Sequence, residues 1–153
     1  MKKIVLIFLS LLLLQFAGCG GLTDVGNPTG TVILTGQLNL ASLDADLAQV
    51  DTGLVVVKAI DENLTEFTSE VDLEGFFNLS VPVGYYYSLY VYFAFQNLGA
   101  FSFEQDDQGN RSNRLEIDFN QPGGEVIDMG LVTRQNGEFR PENEPRQQMR
   151  QGQ

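Results

Sequence analysis

Cys19 is the only thiol in the chain, and there is no histidine. Disulfides within the chain and imidazole-assisted nucleophilic catalysis are therefore excluded. Lys58 falls in a predicted strand, away from any partner base. Carboxylates, hydroxyls and amides remain. Asp44 with Asp46, Asp72 with Glu74, and Asp106 and Asp107 with Asn110 fall in predicted loops. Loop oxygens of this kind suit Ca²⁺, but no stretch has the spacing of the twelve-residue calcium loop, and aspartates also make ordinary turns. Glu116 and Asp118 alternate with apolar residues, which points them to solvent and leaves them ordinary acids. A chain this small offers no substrate cleft for paired-carboxylate hydrolysis. No nucleophile, base and orienting group come together, so no enzyme activity, resident metal or cofactor is expected.

A second set of residues suits binding. Between Tyr85 and Phe95 the alternation puts Tyr86, Tyr90 and Tyr92 on one face of a strand. Tyr85, Tyr87, Leu89, Val91, Phe93 and Phe95 fall on the other. The second set is the better core face. The three tyrosines then form an outward platform for protein or carbohydrate, or serve as good strand formers under a neighbouring loop.

These residues need a scaffold, and the period of two supplies it. Val32, Leu34, Leu38 and Leu40 share a face; Leu54 to Ile60 is a β-branched run; Phe67, Ser69 and Val71 alternate with polar neighbours. So do Phe77, Leu79 and Val81, then Leu115, Ile117 and Phe119. Phe101 and Phe103 mark another strand, and 126–132 closes the series. Only 41–50 offers about two turns of helix. The expected fold is all-β: a single antiparallel β-sandwich of seven or eight strands spanning 31–133. After Thr133 the composition turns to Gln, Arg, Asn, Glu and Pro, and 134–153 is expected to be a disordered polar tail.

The first residues give an address. Lys2 and Lys3 precede an apolar run from Ile4 to Leu14, too short for a comfortable membrane span. The run ends in Phe16-Ala17-Gly18-Cys19, which resembles the bacterial lipobox. That resemblance implies cleavage between Gly18 and Cys19 and acyl chains on the Cys19 sulfur, and two chains suffice for stable anchoring. Phe16 departs from the usual Leu. Gly20 in place of an Asp leans towards the outer membrane. Residues 1–18 are thus read as a lipoprotein signal peptide and 19–30 as a lipidated, Gly-rich tether. The net charge of −11 comes from twenty acids against nine bases, and loss of Lys2 and Lys3 would deepen it. Such a domain repels phosphate backbones and anionic lipid, so nucleic acid is excluded and membrane contact falls to the acyl chains.

A further resemblance lies in Asp72-x-Glu74-Gly75-x-Phe77-x-Leu79-x-Val81-Pro82-x-Gly84-x-Tyr86, with Ile127-Asp128-Met129-Gly130 downstream. It is similar to the carboxypeptidase regulatory-like (transthyretin-like) domains, which are mostly non-catalytic β-sandwich modules. That likeness implies a fold and no active site. The expected function is a lipid-anchored, non-catalytic envelope protein acting through structural or protein contacts. The alternative is a module binding a small ligand, carbohydrate or calcium.

Overall fold

The structure, a computed structural model, describes residues 30–43, 54–105 and 108–145. Over that range the chain is all-β apart from a short 3-10 turn, Leu40–Ser42. Eleven strands follow one another: β1 (Thr31–Leu38), β2 (Val55–Asp61), β3 (Glu66–Glu70), β4 (Phe76–Pro82), β5 (Tyr85–Phe93), β6 (Gln96–Ala100), β7 (Phe103–Glu104), β8 (Arg111–Ser112), β9 (Arg114–Ile117), β10 (Val126–Gln135) and β11 (Glu138–Pro141). The count exceeds the seven or eight expected. The aromatic stretch around Phe101 is cut into β6 and β7, β8 is a two-residue partner for β7, and β11 lies beyond the expected boundary.

One sheet has the order β11-β10-β1-β4. The other has β3-β2-β5-β6, with β9 beside the first half of β5. Buried residues from both sheets make a single core. Alternation puts them there: Val32, Leu34 and Leu38 of β1, Val55, Val57 and Ala59 of β2, and Phe77, Leu79 and Val81 of β4 all point inward. Each such large apolar side chain contributes roughly 1.5–3 kcal/mol through burial. Phe101 sits at the centre of an aromatic group, against Phe77, Phe103 and Phe139 at centroid distances of 6.2, 6.2 and 5.9 Å.

Not all pairing is antiparallel. β1 and β10 run parallel, with Leu34 opposite Ile127 and Leu38 opposite Val132. Alternation assigns faces but carries no information on strand direction, so an all-antiparallel sheet did not follow from it. Gly30 and the turns at Val83 and Gly124 meet at one end: Val83 N donates to Gly30 O at 3.0 Å, and Gly124 N to Thr31 O at 2.7 Å.

The polar tail expected from Arg134 does not begin there. β10 continues through Arg134 to Gln135, Asn136 (φ 54°) and Gly137 (φ 84°) turn the chain, and β11 returns with Phe139 buried. An Asn-Gly pair supplies the two positive φ values that a tight hairpin needs. One buried phenylalanine and that turn order a stretch whose average composition is hydrophilic. The folded part therefore extends past 133 to Pro145, while 146–153 lie outside the described residues.

Two aromatic assignments also change. Phe95, placed by alternation on the core face, sits in a turn with Ala94, both at positive φ (73° and 45°), and is fully exposed. Phe119 lies beyond β9 and is half exposed, its ring held over Gly84. In both cases the strand ends one pleat before the alternation does. The helix expected at 41–50 is the 3-10 turn at its start, the remainder lying outside the described residues. Ser42 fixes that turn: its hydroxyl donates to Asn39 O at 2.6 Å and accepts from Arg134 N at 3.0 Å.

Tyr87 is fully buried, and its hydroxyl donates to Pro82 O at 2.7 Å across the β4–β5 turn. Burial, and secondarily the Asp61 carboxylate, push its ionisation far above the ordinary phenol range. Below about pH 10 both folded and unfolded phenols are protonated, so folding is indifferent to pH on this account. Above it the unfolded chain loses a proton that the folded chain keeps, and stability falls as pH rises. Tyr87→Phe is expected to cost about 1–2 kcal/mol at neutral pH by leaving the carbonyl unpaired, and to shallow the alkaline decline. Urea melts between pH 7 and 11 measure both; an unchanged alkaline slope would refute the assignment.

Candidate binding face

The outer surface of the second sheet is built by pairing. β5 presents Tyr86, Ser88, Tyr90 and Tyr92, because its intervening residues Tyr87, Leu89 and Val91 are in the core. β2 places Lys58 opposite Tyr90 and Val56 opposite Tyr92. β9 places Glu116 opposite Tyr86 and Arg114 opposite Ser88. The sequence reading put the three tyrosines together on an outward face, and the structure does the same.

Two cations complete the surface. Lys58 Nζ lies 4.9 Å from the Tyr92 ring centre, and the Arg114 guanidinium carbon 4.7 Å from that of Tyr86. Such contacts contribute roughly 0.5–1 kcal/mol each where exposed. They hold the rings against the sheet. Tyr90 and Tyr92 meet edge to face at 6.5 Å. Lys58 also binds Glu66 at 2.7 Å, and Arg114 lies 4.0 Å from Glu62. Tyr86 is 37% exposed, enough for its ring to be reached from solvent. Of the five cations among the described residues, Lys58, Arg111, Arg114, Arg134 and Arg140, two lie on this one face. Lys58 and Arg114 carried no functional reading in the sequence. Their placement depends on strand register, and spacing along the chain does not reveal it.

The acidic loops have structural work. Asp72 Oδ1 accepts from Glu74 N (2.9 Å) and Phe76 N (2.8 Å), closing the β3–β4 turn. Asp61 accepts from Asn63 N and Thr65 N at 2.8 Å each, Asp118 from Asn120 N at 2.9 Å, and Asp128 from Gly130 N at 2.9 Å. Each carboxylate folds back on its own loop. Among the described residues no three His, Cys, Asp or Glu side chains are grouped to hold a metal ion. Asp44, Asp46, Asp106 and Asp107 lie outside the described residues, as do Gly18 and Cys19.

One further device was not visible in the sequence. Arg111 donates through Nε to Ser102 Oγ (3.0 Å) and through Nη2 to Ser102 O and to Glu144 Oε1, the last at 2.6 Å. Glu144 Oε2 in turn accepts from Glu104 N at 2.9 Å. The half-buried pair ties the segment after β11 to the β7–β8 ribbon, thirty-three residues away in the chain.

No family model, curated protein or solved structure matches this chain.

Proposed function

We propose that this chain is a lipid-anchored, non-catalytic protein of the bacterial cell envelope, held through Cys19, more specifically at the outer membrane, and acting by contact with another envelope protein. The observation that carries the contact reading is the face of Tyr86, Tyr90 and Tyr92 with Lys58 and Arg114 across two of its rings. Rigid aromatics present large area at small conformational cost, and cations supply direction, which is the composition of protein contact surfaces. Anchoring rests on Lys2, Lys3, the apolar run and Phe16-Ala17-Gly18-Cys19. The fold we propose is a transthyretin-like β-sandwich of the carboxypeptidase regulatory-like kind. The motif residues support it: Gly75 and Gly84 adopt positive φ (94° and 87°), and Phe77, Leu79 and Val81 are buried.

The same platform favours a second reading, carbohydrate binding, because sugar C–H faces stack on exposed tyrosine rings. Photo-crosslinking in intact cells from position 86, compared with exposed Leu131 on the other sheet, separates the two. A discrete protein adduct from 86 alone, lost in Tyr90→Ala/Tyr92→Ala, is expected. A melting shift with glycans and no adduct would favour carbohydrate. Cys19→Ser is expected to move the protein from the membrane to the soluble fraction, and a variant that stays bound and normally processed would refute the anchor.

A further inference from the structure

Two hairpins of this domain turn through the same kind of two-residue loop. Phe93 pairs with Gln96 across Ala94-Phe95, and Gln135 pairs with Glu138 across Asn136-Gly137. All four loop residues have positive φ, 45° and 73° in the first hairpin, 54° and 84° in the second. This is the type I′ turn, and Asn-Gly is the pair that adopts it at least cost. Alanine and phenylalanine are strained there, because in the left-handed region a Cβ crowds the neighbouring carbonyl oxygen.

The fold gains no packing from that strain. Phe95 is 101% exposed, so its ring rests on nothing in the domain. The β10–β11 turn shows that the same loop forms from residues without the strain. The reason for a phenylalanine at this tip therefore lies outside the fold. Apolar surface continues beside it. Ala94 N donates to Leu54 O at 3.1 Å, and Leu54 is 48% exposed. Val71 N donates to Val55 O at 3.0 Å, which brings the β3–β4 turn to the same end, with Leu73 78% exposed. That end is the one away from Gly30: β5 starts beside Val83 and Gly84 and runs for nine residues, roughly 30 Å.

We propose that the β5–β6 tip is the anchor by which this domain engages a second protein, whose surface offers an apolar pocket for the Phe95 ring flanked by Lys or Arg side chains. Area argues for a pocket. Leu54, Leu73 and Phe95 expose on the order of 400 Å² of apolar surface. Two copies meeting by this end would bury about 800 Å² in all, short of the roughly 1,200 Å² at which specific interfaces begin. A pocket that encloses one ring needs less, since a single buried aromatic can dominate a contact. Charge argues for the flanking cations. Glu70, Asp72 and Glu74 are exposed on the β3 side of this end. On the β11 side Glu138 lies 3.4 Å from Arg140, and Arg134 lies over the Phe139 ring. Among the described residues here acids outnumber cations four to two. That balance repels a second copy of this acidic chain and an anionic lipid surface, and attracts a basic rim. The tip is a different surface from the tyrosine face, and the inference does not rest on that face.

Ala94→Asn/Phe95→Gly in the full chain tests the proposal by two measurements. In thermal melts of the purified protein its Tm is expected to rise by about 5 °C, because strain is relieved and no packing is lost. An unchanged or lower Tm would show that Phe95 serves the fold and would overturn the proposal. In intact cells a photo-crosslinking residue at exposed Gln96 is expected to give a discrete protein adduct. Its yield should fall at least tenfold in the double variant, as the loss of a central aromatic anchor dictates. Glu74→Lys should lower it several-fold by setting a cation against the basic rim. No adduct, or one indifferent to the double variant, would overturn the contact, and one indifferent to Glu74→Lys would overturn the basic rim. A crosslink between two copies would also overturn it, as would binding to phosphatidylcholine and phosphatidylglycerol vesicles that disappears in the double variant. Tyr90→Ala/Tyr92→Ala is expected to leave the adduct from position 96 in place while removing the one from 86, so the two contact readings fail separately.

Discussion

Phe101→Ala is expected to lower the stability of the domain by about 3–5 kcal/mol, the usual cost of removing a fully buried phenylalanine. The ring has no exposed surface and touches rings from three other parts of the chain, Phe77 of β4, Phe103 of β7 and Phe139 of β11. Its removal takes away transfer energy and leaves a void that none of these can fill, because each is held by its own strand. Since small domains have about 5–15 kcal/mol in total, the variant would be near the limit of folding. The loss should also reach β11, whose Phe139 would lose its stacking partner. Denaturant melts give the magnitude, and a loss under about 1 kcal/mol would show that Phe101 is not the centre of the core.

Gly75→Ala is expected to cost about 3 kcal/mol, more than the roughly 1–2 kcal/mol of left-handed backbone strain alone. Gly75 has φ 94°, and a Cβ there would stand 2.4 Å from Leu38 O, a backbone atom that cannot rotate away. The same glycine accepts a hydrogen bond from Leu38 N at 2.8 Å, so relief of the clash would stretch the junction between the β3–β4 turn and β1. Gly137→Ala separates the two costs. Its φ is 84°, yet nothing lies within 4 Å of the added atom. It should therefore show torsional strain only. Equal losses in the two variants would refute the close-approach argument.

Much of this architecture is legible in local spacing. The faces of β1, β2, β4 and β5 follow from alternation, because a strand exposes successive side chains on opposite sides whatever its neighbours are. The turn at Asp72–Gly75 follows from an aspartate that can cap its own loop and a glycine that tolerates positive φ. The outward set of Tyr86, Tyr90 and Tyr92 follows once the inward set is chosen. By contrast, composition misjudged Arg134 to Pro141, where a two-residue Asn-Gly turn and one buried ring outweigh a hydrophilic average. Alternation likewise overran at Phe95 and Phe119, since it continues in the letters after the hydrogen-bonded ladder has stopped.

Most strand positions, their inward and outward faces, and the acidity of the chain were thus determined by the sequence alone, because each depends on neighbours a few positions away or on simple sums. Direction and partnership were decided only by the tertiary structure. The parallel pairing of β1 with β10, Lys58 and Arg114 over the tyrosine rings, and the Arg111–Glu144 tie join residues tens of positions apart. Their register is set when both sheets bury one shared core, a condition on the whole chain that no local pattern contains.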